Sequence, residues 1–228
     1  MEVRWENEQL RRRMLALPVF YFFLYMLCFI LLEEYVHPRY WISSDLDAHI
    51  PFCAPFILPY LAWFPMVAGM FWYFYKKDPE SYLYLCRGML LGLTICLAIY
   101  AVFPNGQLLR RPIVGDDLFS EMVRLLRKTD TPTNVCPSIH VFVTVTVALA
   151  AARSRAMARQ RLLRGALMVL CVLICMSTVF LKQHSIVDVA LGTALGLGLD
   201  LLLRQRRPES WLLFRLLQPR KGRTALDW

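Results

Sequence analysis

Apolar residues in this chain come in long blocks, separated by short charged or mixed segments. The blocks cover residues 14–36, 55–75, 82–103, 137–152, 165–181 and 185–203. Most are long enough to cross about 30 Å of hydrocarbon at about 1.5 Å per residue; the fourth is short. In the second, Pro59, Pro65 and the aromatic residues predict a kinked helix anchored at the interface. In the sixth, Gly192, Gly196 and Gly198 permit close helix contact. The longest connection precedes the fourth block, and within it residues 116–128 predict a further helix. Asp116 and Asp117 suit its first turn, Leu118, Met122, Leu125 and Leu126 form one face, and Arg127 and Lys128 suit its end. This helix is expected to lie along the membrane surface. The predicted fold is an all-α polytopic bundle with about six transmembrane helices and an outer-face surface helix. Its expected parts are an N-terminal segment (1–13), a membrane domain (14–203) and a basic tail (204–228) held at the interface by residues such as Trp211 and Phe214.

Composition supports the membrane reading. The chain has 228 residues, of which 57% are hydrophobic, and its mean hydropathy is +0.44. Its net charge of +9 belongs to the loops. No basic, aromatic-interleaved soluble surface suggests nucleic acid. Arg11, Arg12 and Arg13 precede an apolar run too long for a signal peptide. With the N-terminus inside, 19 Lys and Arg residues fall in cytoplasmic segments and 7 in outer ones. The positive-inside rule then puts both termini in the cytoplasm. The start of the fourth span and the junction of the fifth and sixth share the outer face. The seven cysteines show no metal-ligand spacing, and Cys171 and Cys175 fit packing. Cys53 and Cys136 fall on one side, which leaves a disulfide open. Arg87, near the start of the third span, can snorkel.

Three polar stretches gather on that outer face. Residues 177–188 carry Lys182, His184 and Asp188. On a helix, His184 and Asp188 lie one turn apart on one face, so the carboxylate can hold one imidazole nitrogen and leave the other free as a nucleophile or base. The plain alternative is a pair that caps or packs. Residues 137–140 read Pro-Ser-Ile-His and open the fourth span. Proline fits a first helical turn, where free N–H groups form an anion site, and Ser138 adds a hydroxyl donor. His140 adds a titratable group at the depth of His184. Arg110 and Arg111 have forks that suit phosphate oxygens or lipid headgroups.

These stretches, in this order, resemble the type 2 phosphatidic acid phosphatase superfamily. Its signature is Lys, six residues, Arg-Pro; then Pro-Ser-Gly-His; then Ser-Arg, five residues, His, three residues, Asp. Here Pro104 stands at the lysine position before Arg111-Pro112, Ile139 stands for the glycine, and Thr178 follows Ser177 in place of the arginine. The motif core covers 104–192. The resemblance implies a lipid-phosphate phosphatase, without metal or other cofactor, acting on a phosphomonoester or diphosphate. His184 would attack phosphorus, Asp188 would orient and stabilise its ring, and His140 would protonate the leaving alcohol and then activate water. Arg111, Lys182, Ser138 and Arg110 would hold the phosphoryl oxygens, with Lys182 substituting for the missing cations. Partners would be the lipid substrate and the surrounding lipids, in a multi-pass membrane setting.

Two other classes stay open. A phosphotransferase would use the same chemistry with a lipid alcohol as acceptor, like inositol phosphorylceramide synthases. A transporter or scaffold would not be catalytic, but no mid-span charged cluster marks a transport path. A metal site from His140, His184 and Asp188 is conceivable, although neighbouring Arg and Lys suit an anion better. His37 and His49 read as interfacial, Asp45 and Asp47 as a solvated loop, Asn105 and Gln107 as turn residues, and Asp200 as a helix end.

Overall fold

A computed structural model describes residues 8–205 of the chain. The expectations for residues 1–7 and 206–228, including an interface-held Trp211 and Phe214, lie outside the described residues. The helices are α1 (Glu8–Tyr35), α2 (Leu46–His49), α3 (Ile57–Lys77), α4 (Pro79–Val102), α5 (Leu118–Thr129), α6 (Ile139–Arg153), α7 (Arg155–Ala158), α8 (Arg161–Phe180) and α9 (Ile186–Gln205). A 3-10 turn, Ala54–Phe56, leads into α3. Two short parallel strands, β1 (Tyr40–Trp41) and β2 (Asn105–Gly106), join the loops after α1 and α4. Among the described residues, five helical segments are long and apolar enough to cross a membrane: Leu15–Tyr35, Ala54–Lys77, Pro79–Val102, Arg161–Phe180 and Ile186–Arg204. One further apolar helix, α6, which covers the fourth apolar block, has only 15 residues.

The short helix is the centre of the bundle: α6 packs against α4, α8 and α9. Glycine makes two of these approaches close. A Cβ on Gly92 of α4 would fall 1.9 Å from the Phe142 ring, and one on Gly192 of α9 would fall 2.7 Å from the Ser138 carbonyl. Phe142 is fully buried in the resulting layer. Gly198, by contrast, faces open space and makes no close approach.

Several local expectations change. The charged segment between the second and third apolar blocks, residues 76–81, is mostly helical: Asp78 alone breaks it, ending α3 and capping α4 by accepting from Ser81 N at 3.1 Å. The basic segment at 153–164 folds into α7 and the first turn of α8. In α5, Asp117 is the cap, accepting from Phe119 N at 2.9 Å and Ser120 N at 3.2 Å. The buried face of α5 is Phe119, Met122, Val123 and Leu126, a regular i, i+3, i+4, i+7 stripe, while Leu118 and Leu125 point outward. Asp200 is buried rather than a free helix end. It pairs with Arg153 and Arg204 and accepts from the Tyr84 hydroxyl at 2.7 Å. All seven cysteines are free, so Cys53 and Cys136 are not bridged.

Candidate active site

The site is built where α8 turns into α9. The turn closes on the end of α8: Gln183 N and His184 N both donate to the Thr178 carbonyl, at 2.9 and 3.0 Å. Lys182 takes a left-handed conformation, φ 56°, as the residue just past the helix end. A non-glycine residue there costs about 1–2 kcal/mol. It is tied in place, since Lys182 Nζ donates to the Asp47 carbonyl at 2.6 Å and to the Ile50 carbonyl at 2.5 Å. Asp47 is therefore no solvated loop residue. It is 3% exposed, and its carboxylate accepts from Ser185 Oγ (2.7 Å), Ile186 N (2.9 Å) and Ser44 N (2.8 Å). An aspartate from the short helix α2 thus caps a helix that begins 139 residues later.

On this frame His184 Nδ1 faces Asp188 Oδ2 at 3.4 Å, and Ser185 N donates to the same oxygen at 2.8 Å. Asp188 is fully buried and His184 nearly so. Nδ1 is taken by the carboxylate, so Nε2 is the free nitrogen of His184.

The second histidine comes from α6. Asn105 sets the approach: its Oδ1 accepts from Val135 N (3.0 Å) and Cys136 N (2.8 Å), and its Nδ2 donates to the Cys136 carbonyl (2.9 Å). The Tyr100 hydroxyl donates to the Pro137 carbonyl at 2.6 Å. Ser138 caps α6 by accepting from Val141 N at 3.4 Å, and its own N–H donates to the Asp188 carbonyl at 3.1 Å. His140 follows, stacked on Tyr60 (ring centroids 4.6 Å apart) and packed at a tilt against Trp63 (4.5 Å). Its ring centroid lies 6.2 Å from that of His184. Gln107 closes the assembly, donating to the Lys182 carbonyl at 3.0 Å. Asn105 and Gln107 are thus cross-links between the motif stretches rather than simple turn residues.

Both histidines line one end of a cavity of about 720 Å³. Its other walls are apolar side chains of α1, α3 and α4, such as Phe22, Met26, Val67 and Leu93. At the polar end four buried nitrogen groups have no hydrogen-bond partner: Trp63 Nε1, Arg110 Nε, Asn134 Nδ2 and Gln183 Nε2. His140 Nε2 is unpartnered as well. An orphaned buried donor costs about 1–3 kcal/mol, so several around one cavity mark a place built for an acceptor.

Arg110 is part of this end, and its guanidinium is occupied. It donates to Asp130 Oδ2 (3.1 Å), to the carbonyls of Asp130 (2.5 Å) and Thr131 (3.3 Å), and to Gln183 Oε1. Burial raises the Asp130 carboxyl above its ordinary range, with Arg110 the main opposing influence. Burial and the charge of Asp188 push the Cys136 thiol up to about 12, so that buried thiol stays protonated.

The structure therefore brings His184, Asp188, His140 and Arg110 together. Three other expected residues sit elsewhere. Arg111 is exposed, and its carbonyl is held by Arg127 at 2.7 Å. Lys182 points to the 47–50 loop, and Ser138 is buried as a cap; none of the three lines the cavity. Tyr60, Trp63, Asp130, Asn134 and Gln183 were not singled out in the sequence. Only Asn134 and Gln183 carried a signal, each within six residues of a motif histidine. Among the described residues, no group of three or more His, Cys, Asp or Glu side chains is arranged to hold a metal ion.

The model of one family, described as the PAP2 superfamily, matches residues 88–212, more than half of the chain, and the chain belongs to that superfamily. It is a multi-pass membrane protein of the phosphatase and phosphotransferase type that acts on lipid phosphates. No curated protein and no solved structure matches it.

Proposed function

We propose that this protein cleaves a lipid phosphate ester through a phosphohistidine on His184 and passes the phosphoryl group to water. One observation carries the reading: His184, with Nδ1 on Asp188, faces His140 across the polar end of a cavity whose remaining walls are apolar. The lipid tail lies along α1, α3 and α4, and the phosphate meets the unpartnered nitrogens of Trp63, Arg110, Asn134 and Gln183.

In the first step a bond forms between phosphorus and His184 Nε2, and the bond to the lipid oxygen breaks. Asp188 stabilises the positive ring that results, and His140, entering the step as the imidazolium, gives its Nε2 proton to the departing lipid oxygen and is left neutral. In the second step His140 takes a proton from water, whose oxygen attacks phosphorus as the bond to nitrogen breaks. The buried N–H groups hold the phosphoryl oxygens throughout. No residue in this scheme needs a metal ion. With 19 of the 26 Lys and Arg residues on the side of the termini, both termini are cytoplasmic and the site opens outward, with α6 as the short fourth of six spans and α5 along the surface.

The test uses the full chain in detergent with lipids radiolabelled at phosphorus and a chelator present. Release of phosphate, transient label on the protein, and loss of both in His184→Ala are expected. Undiminished release by His184→Ala overturns the assignment. Label that moves to an added lipid alcohol rather than to water establishes the phosphotransferase instead.

A further inference from the structure

The polar end of the cavity holds an unusual balance of charge for a phosphate site. Among the described residues that line the cavity, Arg110 is the single Lys or Arg and Asp130 the single Asp or Glu, and the two are paired. A second carboxylate, Glu33 on α1, accepts from the Thr131 hydroxyl beside them. The cations that could offset this are turned away: the Lys182 ammonium is held by two carbonyls of the 47–50 loop, and Arg111 is exposed. What the cavity offers an anion is mostly neutral, namely the indole N–H of Trp63 and the amides of Asn134 and Gln183.

A phosphomonoester carries about −1.5 to −2 charges at neutral pH, since its second pKa is about 6. A phosphodiester has no second proton to lose and carries one charge. Neutral N–H donors and a guanidinium already paired with a carboxylate suit the single charge. With His140 carrying the proton it donates, one cation beyond the Arg110–Asp130 pair faces the phosphate; it matches a diester's single charge, and the second charge of a monoester would meet Asp130 without a further cation to offset it.

Resting on the phosphohistidine reading above, we propose that Asp130 is a specificity-determining residue and that the site selects a singly charged phosphodiester lipid over a doubly charged monoester. The reaction then keeps the same bonds. His184 Nε2 joins phosphorus, the bond to the lipid alkoxide breaks, and His140 supplies its proton. The phosphohistidine retains the second ester group, and water or an alcohol then takes the esterified phosphoryl group, giving its proton to His140. This replaces the phosphomonoester or diphosphate implied by the family resemblance with a phosphodiester.

Two lipids with identical tails isolate the charge: phosphatidate, a monoester, and phosphatidylmethanol, its methyl diester. Their equilibrium binding is measured on the full-length His184→Ala chain in detergent, where turnover does not interfere, and then with Asp130→Asn or Asp130→Glu added. The His184→Ala chain is expected to bind phosphatidylmethanol about tenfold more tightly, equivalent to about 1.4 kcal/mol. Asp130→Glu should keep the preference, and Asp130→Asn should reduce it to about twofold or less. A merely structural Asp130 would weaken both lipids alike in both variants. Equal or tighter binding of phosphatidate by the His184→Ala chain overturns the proposal, as does an unchanged preference in Asp130→Asn. Diacylglycerol release by the wild-type chain is assayed separately. Release that survives in His184→Ala defeats the phosphohistidine reading, while a lost lipid preference alone defeats only the role of Asp130.

Discussion

Asp47→Ala is the most informative perturbation of the frame that holds His184. The side chain is 3% exposed and accepts three hydrogen bonds, two of them from Ser185 Oγ and Ile186 N at the start of α9. Alanine leaves those two buried donors without an acceptor, at about 1–3 kcal/mol each, and removes a charged N-cap. The Lys182 tether survives, because its acceptors are backbone carbonyls. The expected loss is about 3–5 kcal/mol, using those ranges together. At about 2–4 °C per kcal/mol for a chain of this size, Tm should fall by about 6–20 °C. Asp47→Asn keeps one acceptor oxygen and should lose about half as much. It should stay folded, yet its kcat for phosphate release should drop by about 10²-fold with little change in KM, because a shift of about 1 Å in a reacting group has that effect. Thermal unfolding in detergent, paired with steady-state kinetics, tests both parts. A Tm within about 2 °C of wild type in Asp47→Ala, with full activity, would refute the reasoning.

Three further predictions follow from the same geometry. Gly92→Ala puts a methyl group 1.9 Å from the Phe142 ring and should destabilise by about 1–3 kcal/mol, whereas Gly198→Ala meets nothing within 4 Å and should be neutral or stabilising; thermal unfolding of the pair decides. His140→Ala should lower phosphate release by about 10²–10⁴-fold without loss of lipid binding, measured by turnover and equilibrium binding together. Cys136 has a folded pKa raised from 9.0 to about 12, so its contribution to stability is complete below pH 9.0 and is lost as pH rises toward 12. Cys136→Ala should therefore flatten the fall in Tm between pH 9.0 and higher pH, and an unchanged slope would contradict that contribution.

The bundle was legible because apolar blocks of membrane length announce helices regardless of how they pack. The His184–Asp188 pair was legible for a similar reason: an i, i+4 spacing at a helix start is a local geometric fact. What was not legible depends on distance along the chain. Asp47 read as a solvated loop because its partners, Ser185 and Ile186, lie 138 and 139 residues away. Trp63 read as one of many interfacial aromatics, and only the crossing of α3 and α6 sets it against His140. Arg110 and Arg111 are indistinguishable by type, and the backbone path alone turns one into the cavity and the other to the surface.

The link between Asp47 and α9 also sets an order of events during synthesis. At about 5–20 residues per second, the ribosome needs about 7–28 s to add the residues separating Asp47 from Ile186. For all of that time the carboxylate lacks its helix, and the Lys182 ammonium that will grip the same loop has yet to be made. The proposed nucleophile His184, its partner Asp188 and the strap that holds them are therefore completed by α9, the last helix among the described residues, so a chain stalled before α9 carries His140 and Arg110 but lacks the proposed centre.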